Sequence, residues 1–213
     1  MELEKIIEAV TEAKAKAKKR KFEESIEVIV NLKGIDLKRG RQLNIDAALP
    51  HALESSTRVC VIGSATLAYN ARQAGAYKVL EEQDVERLGQ EKEEAKALAE
   101  EVAFFIAQTD MMPLVGRILG PILGPRGKMP RPVPPGADIA TLLSEFSSSV
   151  KLRMRKNLVI QAKVGKQSMD PKLVAENIQA VIVALERNLE KGMDNIRNIF
   201  VKTTMGPAIE IKM

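Results

Sequence analysis

The sequence predicts a two-domain protein of mixed α/β and α+β class. A discontinuous α+β sheet domain, residues 1–57 with 153–213, is interrupted by an inserted Rossmann-like three-layer α/β domain at 58–152. Three observations predict this. Apolar and polar residues alternate at 25–32 and again from 150, the period-two pattern of strands with one solvated face. Between these stretches lie short apolar runs at 59–62, 77–80 and 102–106, separated by helical patterns; βαβ units with a parallel sheet covered on both faces read this way. Neither flank alone offers more than one helix and a few strands, so the two are expected to fold together. The ends of an inserted domain commonly lie close to one another, and two crossings near 57 and 153 would then serve as a hinge.

In chain order, Leu3, Ile6, Ile7, Val10, Ala13 and Ala17 recur at helical spacing and predict a helix over 3–20. Ile26, Val28, Val30 and Leu32 share one face of a half-buried strand, and a second strand is expected around 42–46. Helices over 64–74 and about 84–100 separate the three apolar strands. Asp138 or the Gly136 region caps a helix running through Phe146. Next, Val150, Leu152 and Met154 oppose Lys151, Arg153 and Arg155, and 158–164 reads as a further strand. Asp170 followed by Pro171 is an N-cap with proline in the first turn. Val174, Ile178, Val181, Ile182, Leu185 and Leu189 supply that helix's buried stripe, and Gly192 ends it. Strands at 198–204 and 208–212 close the chain around Thr204, Met205, Gly206 and Pro207.

A 45% hydrophobic content over 213 residues is enough for true cores. The net charge of +5 favours a polyanionic partner, but 28 acids are interspersed among 33 bases, so position matters more than the sum. Bases gather at 14–21, where there are six and no acid, at 151–156, in Lys163 and Lys166, and in the segment 111–137. The first of these also suits a helix C-terminus, whose dipole favours cations. Three of the four clusters belong to the split domain or its border, so folding can gather them into a phosphate-tracking surface. With five Phe, two Tyr and no aromatic-rich RNP pattern, a stacking platform of that type is not expected. Recognition would rest on shape, hydroxyl and backbone contacts. The single cysteine, Cys60, sits in an apolar run and reads as a buried structural thiol in a reducing compartment. A basic signal-peptide start and an apolar run of roughly 18 residues are both absent, so a cytoplasmic chain without a membrane span is expected.

Residues 111–137 hold seven of the ten prolines and four bases with no acid, and read as a long ordered loop, neither helix nor strand throughout. Leu114, Val115, Ile118, Leu119, Ile122, Leu123 and Met129 give it apolar side chains to pack. Gly127 and Lys128 resemble the end of a phosphate-binding loop, but Ile122 stands at its first glycine and Met129 where Ser or Thr would bind magnesium. Gly63, Ser64, Ala65 and Thr66 begin no dinucleotide fingerprint. The only histidine, His51, follows a proline in an expected loop and reads as a structural residue; one Cys and one His build no usual zinc cluster. An alternative is an α/β enzyme or small-ligand module using a pocket at the middle-domain strand ends, near Gly63 and Asp110.

The run GRILGPILGPRGKMPRP from Gly116, with KFEESIEV at Lys21, KVGKQSM at Lys163 and TTMGP at Thr203 in that order, resembles the L-one family of large-subunit ribosomal proteins. The continuation RPVPPGAD is similar to the archaeal branch. The resemblance implies binding to a folded element of large-subunit ribosomal RNA and formation of the mobile stalk beside the exit site, where deacylated tRNA leaves. It further implies repression of the chain's own messenger RNA. No catalysis, cofactor, metal or membrane partner is expected, and the free chain is expected to be a monomer. By motif, the resemblance assigns Lys21, Phe22 and Glu27 to an RNA-contacting region, Thr204, Met205 and Gly206 to the most specific contact, and Gly165, Lys166 and Ser168 to a third. Gly206 would permit close backbone approach, Thr204 a ribose hydrogen bond, and Phe22 and Met205 apolar contact with nucleosides. Arg117, Arg126, Lys128 and Arg131 would add an auxiliary contact with ribosomal RNA or tRNA.

Overall fold

The computed structural model describes residues 2–35, 43–53, 57–154 and 157–212. Arg155 and Lys156 of the basic run at 151–156, and Gln42 of the second expected strand, lie outside these residues. In chain order the elements are α1 (Leu3–Ala15), β1 (Ser25–Leu32), β2 (Asn44–Ala48), β3 (Val59–Ile62), α2 (Ala65–Gln73), β4 (Lys78–Leu80), α3 (Glu82–Gln90), α4 (Lys92–Glu101) and β5 (Phe104–Gln108). There follow α5 (Met112–Ile118), α6 (Gly120–Arg126), β6 (Arg131–Val133), α7 (Ile139–Ser147), β7 (Ser149–Arg153), β8 (Val159–Lys166), α8 (Pro171–Asn188), β9 (Ile196–Thr203) and β10 (Ile209–Ile211). The chain divides into two compact units, Met1–Glu54 with Ser148–Met213, and Ser55–Ser147.

In the discontinuous unit an antiparallel sheet runs in the order β10-β9-β1-β8. Burial alternates strictly along β1, and Ile26, Val28, Val30 and Leu32 turn inward to a core shared with Ile6 and Val10 of α1 and Val174, Ile178 and Val181 of α8. Asp170 caps α8 by accepting from Lys172 N at 2.8 Å, with Pro171 in the first turn where no intrahelical donor is needed. The helix stops at Asn188, four residues before Gly192, which instead opens a 3-10 turn with φ of +51°. β7 pairs antiparallel with β2, so the second crossing between units falls at 147/148, ahead of the 152/153 expected from the sequence.

The contiguous unit is a fully parallel sheet in the order β4-β3-β5-β6. β3 and β5 are buried along their whole length, which explains their uninterrupted apolar sequences. Cys60, Ile62, Phe105 and Ala107 face a core built with α3 to α6, while Val59, Val61, Phe104 and Ile106 face one built with α2 and α7. The expected helix over 84–100 is two helices broken at Glu91, and Gly89 lets the Ile118 side chain approach to where a Cβ would stand 2.8 Å from it.

The proline-rich segment corrects the loop reading. It forms α5, α6 and β6, because the prolines within these elements, Pro125 excepted, fall where helices and edge strands tolerate them. Pro113 and Pro121 occupy first turns, Pro125 lies in the last turn of α6, and Gly127 ends that helix with φ of +67°. Pro132 sits in β6, an edge strand, where a missing donor costs no ladder bond.

Candidate nucleic-acid interface

β1 lies between β8 and β9, so its first residues are flanked by the last residues of both neighbours. Ser25 is opposite Lys166, and Ile26 is opposite Gly165 on one side and Thr203 on the other. Lys21, Phe22, Glu27, Gly165, Lys166, Ser168, Thr204, Met205 and Gly206 therefore all belong to one end of one sheet. A register shift at Ile26/Glu27 gives this end an irregular edge.

Each segment is tied to the next by specific bonds. Thr204 N donates to Ser25 O at 2.9 Å, and the Thr204 hydroxyl lies 2.9 Å from Glu27 Oε1 and 3.2 Å from Ser25 O. The hydroxyl of Ser168 donates to Glu23 Oε1, its amide reaches the same oxygen at 3.3 Å, and Lys166 Nζ lies 3.3 Å from Glu23 Oε2. Phe22 and Met205 are each 57% exposed, leaving two large apolar side chains in water beside the exposed bases Lys18, Lys19 and Lys21. Exposed apolar groups rimmed by polar ones mark an interaction surface.

Both glycines of these segments are constrained from inside the protein. A Cβ on Gly206 would stand 2.3 Å from Thr203 Oγ1, and one on Gly165 2.8 Å from Val174 Cγ2 of α8. The close approach they permit is internal to the protein and shapes the turn before any ligand arrives.

Sequence reasoning missed Arg20, Glu23 and Glu24. Glu24 is 1% exposed, accepts from Met205 N at 2.9 Å through Oε2, and holds Oε1 3.0 Å from Arg20 Nε. The Met205 amide bond is the main cause that keeps its carboxyl below the ordinary glutamate range, and Arg20 adds to it. Glu23 is lowered chiefly by the Ser168 hydroxyl, with Lys166 contributing. The available signal was the four-residue spacing of Arg20 and Glu24, a charge pair closing an otherwise wholly basic run.

Some of the expected bases are occupied internally. Lys14 Nζ donates to Met169 O, and Lys151, with a lowered pKa from burial, faces Asp46 at 3.9 Å. In the contiguous unit Lys128 Nζ donates to Ala99 O and Val102 O at 2.7 Å each, capping α4. Arg126 reaches Glu100 at 3.2 Å, and the Arg131 guanidinium stands 5.5 Å from the Phe146 ring centroid. Arg117 is exposed.

At the carboxyl ends of β3 and β5 a crevice of about 550 Å³ is lined by Ser64, Glu81, Gln108 and Asp110, among others. Three of its polar residues are joined to one another: Ser64 N and Oγ donate to Gln108 Oε1 at 2.9 and 2.8 Å, and Gln108 Nε2 donates to Asp110 Oδ2 at 3.2 Å. Burial pushes the Cys60 thiol up to about 12, so it is inert as a nucleophile. His51 is fixed against Glu176 and, through its main chain, to Asn177 at 3.0 Å. Among the described residues no three His, Cys, Asp or Glu side chains are grouped to hold a metal ion, and no helix is long and apolar enough to cross a membrane.

The chain is 45% identical over 206 residues to the large ribosomal subunit protein uL1 of Methanocella arvoryzae, covering 96% of this chain and 97% of that protein. It is 43% identical over 209 residues to the protein of the same name from Methanobrevibacter smithii, covering 98% and 99%. Residues 13–207, which include every segment meeting at the sheet end, match the ribosomal protein L1p/L10e family, and the chain belongs to that family.

Proposed function

We propose that this chain is a structural protein of the large ribosomal subunit and that the β1, β8 and β9 end of its discontinuous unit binds a folded element of ribosomal RNA. The discontinuous unit is then the RNA-binding domain and the contiguous unit an inserted domain. The single observation that carries this reading is the convergence of three distant segments into one end. That end presents Phe22 and Met205 to solvent beside exposed lysines, while its carboxylates are turned to protein donors. Apolar side chains can cover nucleosides, hydroxyls such as Thr204 can meet ribose, and the lysines can track phosphates.

In the same reading the bound protein forms the mobile stalk near the tRNA exit site and helps deacylated tRNA leave. A mimic of the ribosomal site in the chain's own messenger RNA lets it repress its own translation. Arg117, exposed on α5, is the best placed of the four auxiliary bases for a second RNA contact, since the other three have partners within the protein.

The test is binding of the full chain to large-subunit ribosomal RNA fragments over a salt series, with Met205→Ala and Thr204→Ala beside it. Affinity that falls steeply with salt, and falls again in both variants, supports the reading. Binding to the RNA fragments that neither variant changes would move the site elsewhere.

A further inference from the structure

We infer that Glu24 is a positioning residue of the RNA site: its buried carboxylate holds the turn at Thr204, Met205 and Gly206 in the form that RNA meets, without touching RNA itself. The inference rests on the RNA-binding reading above and extends it to a residue that reading does not use.

A carboxylate beside a basic, phosphate-seeking run is out of place if it faces the ligand. Glu24 does not, being 1% exposed. Burying a charge is costly unless it is paired and hydrogen-bonded; Oε2 and the backbone carbonyl of this residue accept hydrogen bonds, while Oε1 has the Arg20 cation beside it and no hydrogen bond of its own. Oε2 takes the Met205 amide at 2.9 Å, Oε1 faces Arg20 Nε at 3.0 Å, and the backbone carbonyl takes the Gln167 amide at 2.9 Å. One residue thus joins the three segments that make the site, 20–27, 163–169 and 203–207.

The bond to Met205 carries the most weight. The main chain of Met205 is fixed from inside, while its side chain is 57% exposed. Gly206 N closes the same turn on Thr203 O at 3.0 Å. Fixing a recognition loop before binding lowers the ordering cost that association would otherwise carry. Its neighbour Glu23 points the other way, to Lys166 and Ser168, so adjacent carboxylates set the two sides of the site separately.

The experiment uses the full chain with Glu24→Ala, Glu24→Gln, Met205→Ala and the double variant Glu24→Ala/Met205→Ala. It reads amide exchange in the free protein and affinity for ribosomal RNA fragments. In Glu24→Ala the Met205 amide should exchange at least about ten-fold faster while Val28 and Val201 in the core keep their protection, and RNA affinity should fall about ten-fold. Glu24→Gln, which keeps an acceptor oxygen, should recover part of both. Because Glu24 acts through Met205, the double variant should lose less affinity than the two single losses combined. Unchanged Met205 exchange, equal loss of protection at Val28 and Val201, full additivity, or tighter RNA binding in Glu24→Ala would each overturn the inference. If the unaltered chain fails to bind ribosomal RNA, the functional reading fails, and the exchange result alone decides whether Glu24 holds the turn.

Discussion

The sheet end of the discontinuous unit and the Pro/Gly-rich segment of the contiguous one are both dense in sequence signature, yet they direct their side chains in opposite ways. At the sheet end the apolar side chains Phe22 and Met205 face water and the carboxylates of Glu23 and Glu24 face protein donors. In the segment three of the four bases turn back on the fold: Lys128 caps α4, Arg126 meets Glu100, and Arg131 lies over Phe146. A conspicuous motif can therefore mark a stretch whose side chains hold the fold as readily as one that offers them to a partner. The direction of its side chains separates the two cases.

The largest expected effect separates the regions outright. Phe22→Ala should weaken RNA binding by about ten- to hundred-fold, the range of a lost base contact with an aromatic ring, and leave the melting temperature nearly unchanged, since the ring is already in water. Lys128→Met should do the reverse. It removes the donor to the last carbonyls of α4 and should cost about 1–3 kcal/mol in thermal or denaturant unfolding, with the RNA affinity of the folded protein intact. If Lys128→Met abolished binding in a folded protein, the segment would be a primary contact after all.

A smaller effect comes from pH. Glu23 and Glu24 have folded-state pKa values below the ordinary 4.5, so their stabilisation is complete above that value and is lost as pH falls through the lowered ones. Acidification should loosen the Thr204 to Gly206 turn, read as faster Met205 exchange, whereas the hydrogen bonds from Lys128 to the backbone carbonyls of Ala99 and Val102 should hold. Glu24→Gln should flatten the response at Met205. The smallest change is expected at Arg126→Ala, a largely exposed pair with Glu100 contributing about 0–1 kcal/mol. A loss above that range would show the segment to be more dependent on its surface charges than its geometry suggests.

Much of the fold was legible because burial imposes a period. Ile26, Val28, Val30 and Leu32 could only be one face of a strand, and Asp170-Pro171 could only open a helix efficiently. The α5, α6 and β6 elements were not legible, because proline composition reports what a backbone cannot do in general, and whether each proline falls in a first turn or on an edge depends on the finished fold. The site residues were assigned by motif, while Glu24 was hidden by its charge. Its partner, the Met205 amide, is 181 positions away, and no local pattern announces such a bond. Gly206 has a constraint inside the protein as well, since a Cβ there would meet the Thr203 hydroxyl.

The long reach of those bonds has a consequence in time. The contiguous unit, Ser55–Ser147, has all its strands and helices in hand once that stretch has been synthesised, and its parallel sheet can close then. β1 must wait, because its neighbours β8 and β9 begin at Val159 and Ile196. Until β8 and β9 have been made, β1 exposes both edges and its apolar face, and the lysines beside it stand without the Thr204 to Gly206 turn. The proposed recognition surface therefore forms after the contiguous unit, and a nascent chain that has not yet made β9 cannot present it.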